Sequence, residues 1–102
     1  MSFQNALNAA DLEPGQMTKV LIEGRAILIA NVEGEFFASD DSCTHEEVSL
    51  CKGALMGHLV MCPYHGSRFD LRDGTVLEDP AEDPLRVYPV QLLDGVVQVN
   101  IA

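Results

Sequence analysis

Lys19-Val20-Leu21-Ile22-Glu23-Gly24-Arg25-Ala26-Ile27-Leu28-Ile29-Ala30-Asn31-Val32-Glu33-Gly34-Glu35-Phe36-Phe37-Ala38 is the stretch that decides the fold class. Lys19 to Ile22 and Ala26 to Ile29 are rich in β-branched and aliphatic residues, and Glu23-Gly24 between them reads as a turn. Glu33-Gly34 stands in the same relation to the segments Ile29 to Val32 and Glu35 to Ala38, as a two-residue hairpin turn. Working outward, Leu85 to Leu93 and Val96 to Ile101 flank Asp94-Gly95, the strongest hairpin signal in the chain. Val97, Val99 and Ile101 alternate with Gln98 and Asn100, as expected of a half-buried strand. Met1 to Gly15 reads as a lead-in with a turn at Glu13-Pro14-Gly15. Ala6 to Leu12 supports one helical turn at most, and no stretch carries apolar residues at helical spacing over three turns. The expectation is an all-β, antiparallel framework.

The chain has 102 residues, one domain's worth, and splitting it would leave pieces too small for a core. With 47% hydrophobic and 22% charged residues it can support a packed interior. Sixteen acidic against six basic side chains give a net charge of −10. That balance argues against nucleic acid or an anionic membrane as partner, because each phosphate contact needs Lys or Arg. It favours solubility, or docking onto a basic protein surface. The longest apolar run, Ala26 to Ala30, is far too short to cross a bilayer. Asp11 and Glu13 lie in the first fifteen residues without a basic-then-apolar leader, so no secretory signal is expected and the expected location is the cytoplasm. Three cysteines in such a chain fit a disulfide framework poorly and direct attention to metal.

Residues 40–84 hold all three cysteines, all three histidines and three of the five prolines. This reads as a loop-rich site carried on, or inserted into, the β framework. Within it stand Cys43-Thr44-His45 and Cys62-Pro63-Tyr64-His65-Gly66: C-x-H, sixteen residues, then C-x-x-H. A thiolate and an imidazole occur twice, each pair close enough to share one tight loop. Both donor types bind zinc and iron, and two of each complete a four-ligand set. Pro63 and Gly66 supply a tight, rigid turn, while Gly53 and Gly57 help the intervening chain fold back. Three readings follow from the residues: ordinary buried cysteines with satisfied histidines, a structural zinc site, or a binuclear iron–sulfur cluster. The single-residue C-x-H gap is awkward for zinc, whose paired ligands usually stand two to four residues apart. The cluster would place two thiolates on one iron and two imidazoles on the other.

The double motif resembles the Rieske [2Fe–2S] signature. The resemblance runs on through Ser67-Arg68-Phe69-Asp70, Asp73-Gly74 and Pro84-Leu85-Arg86-Val87-Tyr88-Pro89-Val90, and covers nearly the whole chain. The size of the domain is similar to that of the soluble ferredoxins of bacterial aromatic-ring-hydroxylating dioxygenase systems. The resemblance implies that residues 1–102 form a single antiparallel β-sandwich with a cluster-binding region at about 40–70. It also implies one [2Fe–2S] cluster per chain, with Cys43 and Cys62 on one iron and His45 and His65 on the other. Ser67 sits where respiratory Rieske proteins have a serine that hydrogen-bonds the cluster, and Phe69 where they have a tyrosine that donates to a cysteine sulfur. One donor without the other implies a potential below the respiratory class.

Respiratory relatives carry an extra cysteine after each ligand loop, joined as a brace. Cys51 has no such counterpart here and is expected to be a small buried hydrophobe beside the first loop. His58 is expected to be a surface histidine in a turn, and Tyr64 to cover the cluster from solvent. Asp40, Asp41, Glu46, Glu47, Glu78, Asp79, Glu82 and Asp83 are each explicable as solvated surface, and together could form a negative collar that steers docking.

The function implied is one-electron transport, from a flavin reductase fed by NADH or NADPH to the Rieske centre of a terminal oxygenase. The chain shows no nucleotide fingerprint and no catalytic base beside a nucleophile, so it is not expected to be an enzyme alone. Transient docking and a monomeric state are expected. Two other readings compete: a small Rieske-like subunit of an assimilatory nitrite reductase, and a zinc-stabilised interaction module.

Overall fold

Glu23, Glu33 and Asp94 take φ values of 52°, 54° and 50°, and the glycines that follow them take 79°, 93° and 77°. Positive φ at both central residues is the turn geometry whose twist matches a two-residue antiparallel hairpin, and glycine at the second position adopts it without steric cost. The computed structural model describes residues 2–44, 47–64, 66–77 and 83–102. Its strands are β1 (Gln4–Asn8), β2 (Met17–Ile22), β3 (Arg25–Val32), β4 (Glu35–Asp40), β5 (Ala54–Met56), β6 (Leu59–Met61), β7 (Arg68–Asp70), β8 (Val87–Tyr88), β9 (Val90–Leu93) and β10 (Val96–Val99). Short 3₁₀ turns lie at Ala9–Asp11 and Leu50–Lys52. Among the described residues no helix is long and apolar enough to cross a membrane.

Three antiparallel sheets result, ordered β1-β10-β9, β2-β3-β4-β8 and β5-β6-β7. β3 explains their stacking. Ile27, Leu28, Ile29 and Ala30 are all fully buried, and successive side chains of a strand point to opposite faces. Ile27 and Ile29 pack with Val97, Val99 and Tyr88, against the first sheet. Leu28 and Ala30 pack with Val60 and Phe69, against the third. A continuous apolar run is therefore what a strand needs when it is covered on both sides. Each fully buried Leu or Ile contributes about 1.5–3 kcal/mol relative to exposure.

Several expectations are corrected. The lead-in contains β1, which pairs with β10 from the far end of the chain (Gln4 opposite Val99). Leu85 to Leu93 is not one strand: Pro89 separates β8, which joins β4, from β9, which joins β10. Proline has no N–H for a ladder, and the Pro89 carbonyl instead accepts the Asn100 N–H at 3.0 Å. Asn100 is buried rather than outward, and its Oδ1 accepts the Ala102 N–H at 3.0 Å. Residues 40–84 contain a small sheet of three-residue strands, β5 to β7, between the loops.

Tyr88 closes the core between the first two sheets. Its hydroxyl donates to Asp40 and accepts from Arg25 Nη2 at 2.7 Å, while the Arg25 and Arg86 guanidinium carbons lie 5.5 and 5.1 Å from the ring centre. Burial, then the Asp40 carboxylate, pushes the Tyr88 hydroxyl from 10.0 up to about 12. The fold thus holds the neutral phenol, and this contribution is complete below pH 10 and is lost as pH rises from 10 towards 12. Tyr88→Phe is expected to flatten that limb of the stability curve, read by denaturant unfolding across the same range.

Candidate metal centre

Each cysteine of the double motif stands at the foot of a short loop between strands. β4 runs into the first loop, residues 41–53, which returns to β5. Asp41 anchors it: its N–H donates to the Ala26 carbonyl at 3.1 Å, and its carbonyl accepts from Leu50 N–H at 2.6 Å. Inside that, Cys43 N–H donates to the Val48 carbonyl at 3.0 Å. The second loop joins β6 to β7, and Cys62 N–H donates to the Ser67 carbonyl at 2.8 Å. In both loops the cysteine amide thus closes a ring onto the carbonyl five residues on. His45 and His65 fall within these two sequence intervals but lie outside the described residues, as do Glu46, Glu78, Asp79 and Glu82.

The two loops are held together from behind. Cys43 and Cys62 are 5% and 2% exposed and belong to one apolar cluster with Leu28, Leu50, Val60 and Phe69. Gly53 at the end of the first loop lies against the second. A Cβ there would stand 1.9 Å from the Met61 carbonyl oxygen and 3.1 Å from Pro63 Cδ. Thr44 Oγ1 donates to the Asp83 carbonyl at 2.8 Å, which ties the first loop to the segment leading into β8. That segment is tied again where Leu85 N–H donates to the Gly74 carbonyl at 2.8 Å. Gly74 has φ +83°, and a Cβ on it would lie 1.9 Å from the Leu85 oxygen. The turn before it is set by Arg72, whose Nε and Nη2 reach the Asp70 carboxylate at 3.0 and 2.7 Å and lower its pKa.

Neighbouring residues divide between expectation and correction. Phe69 is fully buried among the residues around both thiols, where it fills the core. Ser67 is 1% exposed. Tyr64, expected as a cover, is 57% exposed. Cys51 is half-buried rather than buried, with Sγ 3.2 Å from Ser49 Oγ. His58 is not a bare surface group: it is half-buried, and its ring meets Phe37 edge-on at 5.4 Å. Asp40 and Asp41 leave the acidic collar. Asp40 is bonded to Tyr88, and Asp41 is buried, with its carboxylate accepting the Ser49 hydroxyl and the Cys51 N–H. Glu47 and Asp83 are exposed.

Sequence reasoning took Asp41 for surface charge and assigned no role to Ser49 or Thr44. It placed Gly53 in a fold-back but not in a backbone contact. An Asp two residues before a ligand cysteine was the available signal.

None of Cys43, Cys51 and Cys62 forms a disulfide. Two buried cysteines without a disulfide, each at the foot of a closed loop that carries one Cys/His motif in sequence, fit a thiolate-bound metal group. The donor set of two sulfurs and two imidazoles fits an asymmetric binuclear iron–sulfur cluster.

Comparison with known proteins gives the same answer. The Biphenyl dioxygenase ferredoxin subunit of Pseudomonas sp. (strain KKS102) is 39% identical over 93 residues, which cover 90% of this chain and 85% of that one. The structure of the Sphingomonas yanoikuyae B1 ferredoxin matches at a TM-score of 0.93 and 31% identity, over 99% of this chain and 100% of that one. A complex of reduced oxygenase and oxidized ferredoxin in carbazole 1,9a-dioxygenase contains a chain matched at a TM-score of 0.90 and 33% identity, over 95% of this chain and 91% of that one. The model of the Rieske [2Fe–2S] domain matches residues 2–89. Paired loops on a three-sheet β framework, buried cysteines at their feet and this match over most of the length have one common explanation: the chain belongs to the Rieske [2Fe–2S] domain family, with that family's binuclear cluster as its cofactor.

Proposed function

We propose that Cys43 and Cys62 hold one iron of the cluster and His45 and His65 the other, within a single domain spanning residues 1–102 whose cluster-binding region lies at about 40–70. The observation that carries this assignment is the matched pair of loops, each closed by the amide of a buried, unbridged cysteine. The cluster supplies reversible one-electron storage at a donor-asymmetric site. The protein's part is to fix the four donors and to exclude water from the sulfur end with Leu28, Leu50, Val60 and Phe69, while Glu47 and Tyr64, near the two histidines in sequence, stay exposed. Two ferric ions, two sulfides and two thiolates sum to zero charge, so with neutral imidazoles the oxidised site is neutral and accepts an electron more readily than an all-thiolate one.

The relatives are ferredoxin components of aromatic dioxygenase systems, and this chain is an electron-transfer component of such a system rather than an oxygenase. It delivers electrons one at a time to a terminal oxygenase. Its source of electrons is a flavin reductase fed by NADH or NADPH, and it works as a monomer in the cytoplasm. Two docking events in turn call for small, weak interfaces, and the exposed Glu47 and Asp83 add to the attraction for basic partner surfaces. The nitrite reductase subunit reading is not favoured, because relatives matching about nine-tenths of the chain are dioxygenase ferredoxins. The zinc module gives way to the family's cluster.

His65→Cys tests the charge argument. If the variant retains iron, its midpoint potential is expected to fall by on the order of 100 mV, towards the all-thiolate range. Protein-film voltammetry reads it, and a rise in potential would refute the electrostatic account.

A further inference from the structure

Asp41 lies outside the proposed donor set, yet its N–H is bonded to β3 and its carbonyl and both carboxylate oxygens are bonded into the first loop. It is 2% exposed. Its amide reaches Ala26 at 3.1 Å and its carbonyl takes the Leu50 N–H at 2.6 Å. Its carboxylate takes the Cys51 N–H at 3.0 Å through Oδ1 and the Ser49 hydroxyl through Oδ2. Residues 49, 50 and 51, the whole returning arm of the loop, are therefore tied to this one residue on the outgoing arm. Ser42 and Ser49 form a bridge alongside, and Cys43 N–H bonds to Val48 one step further in.

We propose that Asp41 is a positioning residue for Cys43: its carboxylate is the non-covalent brace of the first cluster loop, and it acts through the Cys51 N–H and the Ser49 hydroxyl together. The inference rests on Cys43 being a cluster ligand. A backbone pair alone (Asp41 with Leu50) would fix two points of the hairpin foot and leave the arm free to pivot. The two carboxylate bonds add points on either side of Leu50, which fixes the plane from which Cys43 projects. The thiol of Cys51 touches the brace only through the Ser49 hydroxyl, 3.2 Å from its Sγ, a contact that a serine hydroxyl can also make; the bond to Asp41 is made by the amide. Bonds to residues that support a ligand typically govern metal retention by about 10–100-fold.

The test compares wild type, Asp41→Ala, Asp41→Asn, Ser49→Ala and Cys51→Ser. It reads the EPR spectrum of the reduced protein and the rate of bleaching under an iron chelator. Asp41→Ala is expected to shift the g values and to lose colour about tenfold faster or more. Asp41→Asn is expected to restore wild-type g values, because the side-chain carbonyl still accepts the Cys51 N–H and the amide can donate to the Ser49 hydroxyl. Cys51→Ser should match wild type in both readings. Wild-type spectrum and bleaching rate in Asp41→Ala would overturn the proposal, as would Asp41→Asn being as disruptive as Asp41→Ala. Should Asp41→Ala fail to fold, Ser49→Ala decides: faster bleaching supports the brace and an unchanged rate overturns it. If wild type itself lacks a mixed sulfur–nitrogen signal, the ligand assignment has failed rather than the brace.

Discussion

Cys43→Ser and Cys62→Ser are each expected to yield colourless protein without iron, whereas Cys51→Ser should keep the full visible spectrum. In the proposed assignment the Cys43 and Cys62 thiolates bind iron, and a serine hydroxyl in the same place does not ionise at neutral pH. Both side chains are almost wholly enclosed, at 5% and 2% exposure, so water cannot take over as a substitute donor. Loss extends beyond the metal. Both loops are short hairpins with one or two closing bonds each, and metal binding is part of the free energy that orders such segments. The variants should therefore melt at lower temperature and exchange the amides of residues 41–53 and 61–67 faster, while β2 to β4 stay protected. Cys51 is half-buried, and its backbone N–H, which serine retains, makes the bond to Asp41. Iron analysis with a visible spectrum measures the contrast. Two irons per chain in either ligand variant would contradict it.

Gly53→Ala is expected to be among the most damaging single methyl additions, alongside Gly74→Ala, whose Cβ would meet the Leu85 oxygen at 1.9 Å. The carbon added at Gly53 would sit 1.9 Å from a backbone carbonyl oxygen of Met61, with Pro63 Cδ at 3.1 Å. Neither neighbour is the flexible end of a side chain, so the backbone of the second loop must move. Overpacking against side chains typically costs about 1–3 kcal/mol, and a backbone obstacle next to a cysteine lies at or above that range. For a domain of this size about 3 kcal/mol lowers the melting temperature by over 10 °C. Gly57→Ala is the control. Gly57 has φ +60° but nothing within 4 Å of a Cβ, so it carries turn strain of about 1 kcal/mol alone. Melting curves of the two variants separate close approach from turn strain. Equal losses would show that the contact between the loops is not tight.

The parts of the fold written in local chemistry were legible. Glu23-Gly24, Glu33-Gly34 and Asp94-Gly95 each carry the residues that a two-residue hairpin demands, and all three adopt positive φ at both positions. The run through Ile27 to Ala30 declared itself as strand, and the structure adds that it is buried on both faces, its alternate residues serving two different cores. What escaped depends on distant partners. Gln4–Asn8 has no clean alternation and becomes a strand because β10 lies beside it. The three-residue strands β5 to β7 are shorter than any periodicity can register.

At the site the double Cys/His motif was legible because its spacing is unusual, and the structure describes its two cysteines, both buried. Their support was less legible: an aspartate two residues before a proposed ligand looks like surface charge until Ser49 and the Cys51 amide are seen to enclose it. His58 likewise acquires its environment only from Phe37 across the fold. Burial of polar groups is decided by bonds to residues that local sequence does not name.

The most direct measurement is an EPR spectrum of the purified chain after reduction with dithionite. Unlike donors at the two irons predict a rhombic signal whose average g lies clearly below that of a binuclear centre held by four cysteines. A signal averaging at the all-thiolate value, or protein that contains no iron, would contradict the assignment of sulfur to one iron and nitrogen to the other.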